Sequence, residues 1–286
     1  MCFDYDSHPP IAPIAGGAID SMPLVLTAAD HNRFAAFRTR AAQPIGAGIV
    51  ILPDVRGLHP YYEELALRFA ENGVDALALD WFGRTAGAEP RGEGFDHMPH
   101  VTQTTWSGIS TDITAAVDEM RAPDGDRPAP GSVFTIGFCM GGRMSFLTAT
   151  LGLRLAGVIG LYGTLGGAWR NDAPEPLQLL DRFDSPVLGL FGGADTVITA
   201  DQVAAFDAGL GAAGVDHRVV TYPGAPHSFF DRKAEEFADA SAAAWQEILD
   251  FIRSHSGSGR ELAVRAAATA SPGRSPGRRG CVAPPR

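Results

Sequence analysis

The chain has 286 residues, 45% of them apolar and 20% charged, which is enough for a sizeable core and excludes a wholly disordered protein. The formal net charge of −10 disfavours a nucleic-acid partner, because phosphate contacts require a basic surface. No run of about 18 apolar residues is present, and the first ten residues lack an apolar signal core, so we expect neither a membrane span nor a secretory signal. Three widely spaced cysteines, Cys2, Cys139 and Cys281, make no disulfide framework, which favours a reducing, cytoplasmic location.

Short apolar runs alternate along the chain with amphipathic stretches. The predicted strands are Phe34–Thr39, Gly48–Leu52, Val74–Leu79, Val133–Ile136, Gly157–Tyr162, Val187–Phe191 and Arg218–Tyr222. The predicted helices cover residues 61–72, 108–121, 141–151, 201–213 and 233–254. Continuous apolar strands are typical of a sheet covered on both faces. The alternation therefore predicts an α/β fold, a doubly wound and mostly parallel sheet with helices on both faces in a three-layer sandwich.

The two ends of the chain differ in composition from the middle. We predict an N-terminal segment over residues 1–22, one α/β domain over 23–255 and a tail over 256–286. The tail holds six arginines against one acidic residue and few large apolar side chains. Such a composition predicts disorder, since little surface can be buried to offset the ordering entropy. A basic arm for an acidic partner is the alternative interpretation.

The sharpest local pattern is Gly137-Phe138-Cys139-Met140-Gly141-Gly142, between a predicted strand and a predicted helix. This is the nucleophile-elbow pattern G-x-S-x-G with cysteine in place of serine. We expect Gly137 and Gly141 to press together where any Cβ would clash. The nucleophile then lies at a helix N-terminus, whose N–H groups stabilise a thiolate or an oxyanion. An inert buried cysteine is the alternative, and the flanking glycines favour the nucleophile.

A thiol nucleophile needs a base, and the base needs an orienting carboxylate. In a fold of this kind the chain order is nucleophile, acid, histidine. His227 follows the last predicted strand, whereas His217 begins that strand and His255 borders the tail. Asp195 follows the strand VLGLF in a glycine-rich turn, where an Asx turn is its alternative role. The expected triad is Cys139, Asp195 and His227.

Together these segments, with LPDVRG at 52–57 and DWFGR at 80–84, resemble the dienelactone hydrolase family, a cysteine-bearing branch of the α/β-hydrolases. The resemblance covers roughly residues 20–253. It implies an α/β-hydrolase fold in which Cys139 is the nucleophile, His227 the base and Asp195 its orienter. It also implies an oxyanion hole built from the backbone N–H groups of Val55 and Met140.

The sequence departs from the family pattern in two places. The acidic residue that contacts the resting thiol in the family, usually glutamate, is here Asp54, one methylene shorter. The arginine that holds the substrate carboxylate in the family, in an H-S-F-x-R arrangement, is replaced by Asp231, with Arg232 displaced by one position. As substrate-binding residues we therefore consider three others, which are Arg56, Arg84 and Tyr162.

The sequence thus predicts a hydrolase of a small carboxylic ester or lactone that works through an acyl-thioester and needs no metal or organic cofactor. His97 and His100 lie in a Gly/Pro-rich stretch, residues 85–105, that we predict to be a loop and not a metal site. The expected partner is a small-molecule substrate, with no nucleic acid or membrane, and the chain is expected to be a monomer or a weak homodimer. A non-catalytic binder, a thiol redox sensor and an acyltransferase on the same fold are the alternatives.

Overall fold

The computed structural model describes residues 7–14, 20–168, 172–231 and 235–257, and these form one eight-stranded sheet. The strands are β1 (Asp20–Thr27), β2 (Arg33–Arg40), β3 (Ala47–Leu52), β4 (Val74–Leu79), β5 (Ser132–Phe138), β6 (Gly157–Leu161), β7 (Val187–Gly192) and β8 (His217–Tyr222). Their order across the sheet is β1-β2-β4-β3-β5-β6-β7-β8. The six strands from β3 to β8 are parallel, whereas β1 and β2 form an antiparallel hairpin at one edge. The mostly parallel sheet predicted from the sequence is therefore confirmed.

In the part of the chain that the structure describes, seven α-helices connect or flank the strands. They are α1 (Pro60–Glu71), α2 (Gly83–Ala86), α3 (Met98–Val101), α4 (Trp106–Arg121), α5 (Met140–Thr148), α6 (Ala200–Ala212) and α7 (Ala238–His255). Their starts follow ordinary capping chemistry: α1 begins at a proline, and Thr105 accepts the Gly108 N–H at the start of α4. At the start of α6, Thr199 and Gln202 form a reciprocal capping box.

Two glycines of β6 show that helices cover both faces of the sheet. A Cβ on Gly157 would lie 2.5 Å from the ring of Phe251 in α7, and one on Gly160 would clash with the ring of Phe146 in α5. The two positions are three residues apart on a strand, so they point to opposite faces. The structure thus confirms the sandwich, with the sheet as its middle layer.

The central strands carry the core. Every residue of β3, β4, β5, β6 and β7 is buried, as expected for strands covered on both sides. β1 is different, because most of its residues are exposed and Pro23 interrupts its pattern. The sequence did not predict this strand, and the predicted boundary between residues 22 and 23 falls inside it.

The segment predicted as a loop, residues 85–105, contains the single-turn helix α3 and the end of α2. Helices this short carry no periodic pattern from which they could be predicted. Within the described ranges, no helix is long and apolar enough to cross a bilayer. Residues 258–286 of the predicted tail, and with them Cys281, lie outside the described residues, as does Cys2.

Candidate active site

Cys139 stands at the turn from β5 into α5. Its backbone has φ 53° and ψ −110°, and the turn is held by a 3.1 Å hydrogen bond from its N–H to the Leu161 carbonyl in β6. Since α5 begins at Met140, the thiol lies at the N-terminus of that helix. The side chain is partly exposed. The nucleophile-elbow geometry expected from the glycine pattern is present.

Each glycine of the motif stands where a Cβ would clash. A Cβ on Gly137 would collide with the carbonyl of Gly141, as the sequence predicted. One on Gly141 would collide with the carbonyl of Leu52 at the end of β3, and one on Gly142 would lie 2.7 Å from the carbonyl of Leu161. The absence of side chains at these glycines therefore allows the first turn of α5 to pack closely against the ends of β3 and β6.

Asp195 and His227 come together because the loops after β7 and β8 are bonded to each other. The N–H of Gly193 donates to Tyr222 at 2.8 Å, and the N–H of Ala194 donates to Ala225 at 2.9 Å. Across this seam, Nδ1 of His227 lies 2.8 Å from Oδ2 of Asp195.

The two oxygens of Asp195 have separate roles. Oδ1 accepts the backbone N–H groups of Val197 at 2.7 Å and Ile198 at 3.2 Å, which is an Asx-type turn. Oδ2 is bonded to His227, and the carboxylate side chain is fully buried. Asp195 therefore forms the Asx turn and also contacts His227. The two hydrogen bonds of the turn hold the carboxylate in the orientation in which it faces the imidazole.

The electrostatics of His227 link it to both partners. Burial lowers its pKa, but hydrogen bonds with Asp195 and Cys139 and the charges of these two groups outweigh burial and raise the pKa to about 10. Burial raises the pKa of Asp195, and the contact with His227 and the two backbone N–H groups bring it below its usual range. At neutral pH the site therefore favours a protonated His227 imidazolium beside an ionised Asp195 carboxylate.

The loop after β3, which carries Val55, packs on the β5–α5 turn, since a Cβ on Gly141 would clash with the Pro53 carbonyl of this loop. Asp54 is fully buried, its Oδ1 accepts the Arg56 N–H at 2.8 Å, and its own N–H donates to the Tyr62 hydroxyl at 2.9 Å. Met140 is the first residue of α5, so its N–H has no acceptor within the helix. In the described part of the chain, the N–H of Val55 donates to no protein acceptor. That Asp54 contacts the thiol remains a prediction.

The comparison with known families is decisive at this point. The model of the dienelactone hydrolase family matches residues 34–256, most of the chain and all three residues of this cluster. The chain belongs to the dienelactone hydrolase family. It is accordingly a hydrolase with an α/β-hydrolase fold.

Individual members of the family are distant in sequence. A Yersinia pestis protein named "Putative carboxymethylenebutenolidase" is 27% identical over 212 residues, which cover 72% of this chain and 78% of the relative. The structure of a "Putative Dienelactone Hydrolase" from Klebsiella pneumoniae has a TM-score of 0.70 at 24% identity, covering 82% of this chain and 98% of the other. The structure of a dienelactone hydrolase-like promiscuous phosphotriesterase from metagenomic libraries has a TM-score of 0.66 at 22% identity. The match covers 84% of this chain and 100% of the other. At these identities the structures establish the fold alone.

Three residues considered for substrate binding lie in different settings. Arg84 is ion-paired with Asp30 and, at 2.8 Å, with Asp112, so its guanidinium is already neutralised. Tyr162 is fully buried, with its ring centroid 5.1 Å from that of His227. Arg56 follows Val55 and is half-buried, and among the described residues no carboxylate forms an ion pair with it. Of the two arginines, only Arg56 keeps an unneutralised charge.

Asp231 occupies the position at which the resemblance to the family implies arginine. It is buried, and its Oδ2 accepts the Tyr162 hydroxyl at 3.3 Å. Arg232, the displaced arginine, lies outside the described residues. At position 231 this chain therefore has an acidic side chain where the family pattern implies a basic one.

A cavity of about 870 Å³ lies between the start of α1, the β1–β2 hairpin and residues 83–91. Leu58, His59, Asp80 and Arg91 are among its lining residues, and no member of the triad is. Burial lowers the pKa of its His59 to about 3, so this imidazole is neutral at pH 7. The cavity lies beyond the β3–α1 loop and is separate from the Cys139 turn.

Sequence reasoning did not identify the residues that hold the β3–α1 loop. Asp80 and Trp81, directly after β4, both bond to that loop. The sequence signal for them was the DWFGR segment, which contributes to the family resemblance and predicts no contact with this loop. Their contacts depend on which loops become neighbours, and β4 neighbours β3 only in the folded sheet.

Proposed function

We propose that this family member hydrolyses small carboxylic esters or lactones with a Cys139–His227–Asp195 triad, through an acyl-thioester on Cys139. The observation that carries the proposal is the convergence of the three side chains. Each follows a neighbouring or near-neighbouring parallel strand, and the histidine is hydrogen-bonded to both the carboxylate and the thiol. Ligands of open parallel sheets bind at this carboxyl edge.

In the first half of the reaction, the Cys139 thiolate attacks the carbonyl carbon and a C–S bond forms. The N–H groups of Val55 and Met140 donate to the resulting oxyanion, and each such donor is typically worth about 3 kcal/mol. The intermediate collapses, the C–O bond breaks, and the His227 imidazolium gives its proton to the leaving alkoxide. In a lactone the alkoxide stays attached to the acyl group.

In the second half, His227 is neutral and accepts a proton from water, which attacks the thioester carbonyl. The C–S bond breaks, the acid is released, and the proton on His227 restores the ion pair with the thiolate. Asp195 holds the Nδ1–H tautomer throughout, so that Nε2 faces the thiol and the water. No step needs a metal or an organic cofactor.

The test compares wild type with Cys139→Ala on a short neutral aryl ester and on a dienelactone. We expect hydrolysis of both substrates to fall by at least about 10³-fold in the variant, because the nucleophile is lost. Activity that survives in Cys139→Ala would refute the thiol mechanism.

The sequence supplies a matched control in its other two thiols. Cys2→Ala and Cys281→Ala remove a cysteine from outside the triad and should keep wild-type rates. If wild type were inactive on every ester while a mild oxidant changed its behaviour through Cys139, the redox-sensor alternative would be favoured instead.

A further inference from the structure

We propose that Asp80 and Trp81 are positioning residues, which fix the direction of the Val55 N–H by gripping the β3–α1 loop from the end of β4. The inference rests on the proposed function for its catalytic consequence, since it assumes that the Val55 N–H stabilises the oxyanion. The contact itself is a set of hydrogen bonds between the β3–α1 loop and the β4–α2 loop.

Trp81 acts on the peptide group that contains the Val55 N–H. Its indole Nε1–H donates to the Asp54 carbonyl at 2.9 Å, and the same N–H lies 3.3 Å from the Pro53 carbonyl. The Gly57 N–H also donates to the Asp54 carbonyl, at 3.2 Å. Two donors therefore hold this oxygen, and the indole is buried at 2% exposure.

The geometry of the peptide bond turns this contact into an orienting device. The Asp54 carbonyl and the Val55 N–H belong to one planar trans unit, so they point in opposite directions. Fixing the oxygen fixes the N–H. Rotating this unit toward another orientation would break both hydrogen bonds to the carbonyl, and the buried oxygen would lose its donors.

Asp80 holds the other end of the same turn. Its Oδ1 accepts the Leu58 N–H at 3.0 Å, and its Oδ2 accepts the Phe82 N–H at 3.0 Å. Arg91 donates to Oδ2 at 2.8 Å, and this pair balances the charge of a carboxylate that is fully buried. The carboxylate thus ties the β3–α1 loop to the β4–α2 loop.

The β3–α1 turn is tightly packed around the Asp80 carboxylate. Gly57 has φ +79°, and a Cβ there would clash with Oδ1 of Asp80. The carboxylate therefore packs directly on the backbone of the turn. A shift of about 1 Å in the loop would move the Val55 N–H relative to the reacting carbonyl, which costs up to about 100-fold in rate.

The experiment uses Trp81→Phe, which removes the indole N–H and keeps an aromatic ring. We expect kcat to fall by about 10-fold or more while KM changes less than about twofold, because the loss concerns the transition state. The rate at which iodoacetamide alkylates Cys139 should stay at the wild-type value, since alkylation uses the thiolate and no oxyanion hole.

Trp245→Phe is the matched control. Trp245 is also buried, at 7% exposure, and it packs on Phe69 with ring centroids 4.8 Å apart in the α1–α7 contact. This variant should keep the wild-type kcat. An unchanged kcat in Trp81→Phe would overturn the proposal, and so would an equal loss of hydrolysis and alkylation, because both reactions falling together means damage to Cys139 itself.

Hydrogen exchange separates failure of this inference from failure of the proposed function. In Trp81→Phe and Asp80→Asn we expect faster amide exchange over residues 54–58, with the β5–α5 turn unchanged. If wild type hydrolysed no ester, the proposed function would fail, and faster exchange in this loop would still support the positioning contact. Exchange at the wild-type rate in both variants would overturn it.

Discussion

The backbone at Cys139 lies in a region of φ/ψ space that costs a non-glycine residue about 1–3 kcal/mol. Tyr162 at φ 38° and Ser228 at φ 61° are also in the left-handed region, and both adjoin the triad, one at the end of β6 and one directly after His227. Three neighbouring residues with positive φ mark a place where packing, not local preference, sets the backbone. This concentration of strain supports the assignment of the site.

At the residue scale, Asp195→Asn tests the carboxylate–imidazole contact. In wild type, His227 keeps its proton until the pH rises to about 10, so kcat/KM should stay high through neutral pH and fall as the pH passes that value. The amide lacks the negative charge that helps raise this pKa. The alkaline limb should therefore move to lower pH, and kcat should fall by about 10⁴-fold.

A pH–rate profile of kcat/KM for the two proteins measures this shift. An alkaline limb at the same pH in Asp195→Asn would contradict the electrostatic role of Asp195. The alkaline limb reports the pH at which the His227 imidazolium loses its proton. A shift of this limb to lower pH in Asp195→Asn is therefore the informative result.

The residues of the proposed triad could be selected from local sequence patterns, and most of their surroundings could not. Cys139 lies in a motif whose glycines carry the geometry, and Asp195 and His227 follow recognisable strand ends. Arg84 was considered for substrate binding, but it pairs with Asp30 and Asp112, which are 54 and 28 residues away. Local patterns carry no information about such long-range partners.

At the scale of elements, the site depends on the seam between the loops after β7 and β8. Gly192 is the tightest point of that seam, since a Cβ there would clash with the Ala225 carbonyl and lie 2.6 Å from the Pro226 carbonyl. The two loops can approach closely enough for the Asp195–His227 contact only because this side chain is absent.

Gly192→Ala should therefore separate the two loops. We expect a loss of about 1–3 kcal/mol in the free energy of unfolding and a larger relative loss of kcat, because the overpacked loop displaces the carboxylate from the imidazole. Thermal unfolding and steady-state kinetics measure the two effects.

Gly131→Ala is the control for this variant. It has open space around the position of its Cβ and no positive φ, so both its stability and its kcat should stay near the wild-type values. Wild-type activity in Gly192→Ala would show that the seam does not control the triad.

The sequence predicted the buried elements better than the exposed ones. Seven of the eight strands and the five long helices were expected close to their observed positions, because burial imposes a strong apolar pattern. β1 escaped prediction, since an edge strand with exposed side chains carries little of that pattern. The single turns α2 and α3 are too short for any period to show.

At the scale of the whole molecule, the charge distribution bears on the substrate. The chain has a net charge of −10, and several arginines are consumed by internal ion pairs, such as Arg40 with Asp75 and Arg91 with Asp80. Asp231, beside Tyr162, adds a buried carboxylate near the triad. The net charge and Asp231 therefore oppose an anionic substrate, with Arg56 as the opposing positive charge, whereas a neutral ester is affected by neither sign of charge.

We expect kcat/KM for a neutral ester to exceed that for a carboxylate-bearing lactone of similar size. Added salt should raise the value for the anionic substrate and leave the neutral one nearly unchanged, because salt screens the repulsion. Asp231→Asn keeps an acceptor for Tyr162 and removes the charge. It should raise kcat/KM for the anionic lactone by about 3- to 10-fold relative to the neutral ester.

The substrate-charge prediction fails if Asp231→Asn leaves the ratio of the two kcat/KM values unchanged. A higher ratio for the anionic lactone, with the neutral rate preserved, would identify Asp231 as a determinant of substrate charge. Steady-state kinetics with both substrates at two ionic strengths distinguishes an unchanged ratio from a raised one.

The central claim is that the reaction passes through an acyl-thioester on Cys139. The most direct measurement mixes wild-type protein with a short activated aryl ester, quenches turnover in acid at early times, and locates the added acyl mass by peptide mapping. The account predicts a transient acyl group on the peptide that carries Cys139, forming and decaying at rates that match turnover. Turnover without this adduct, or with the acyl group on another residue, would contradict it.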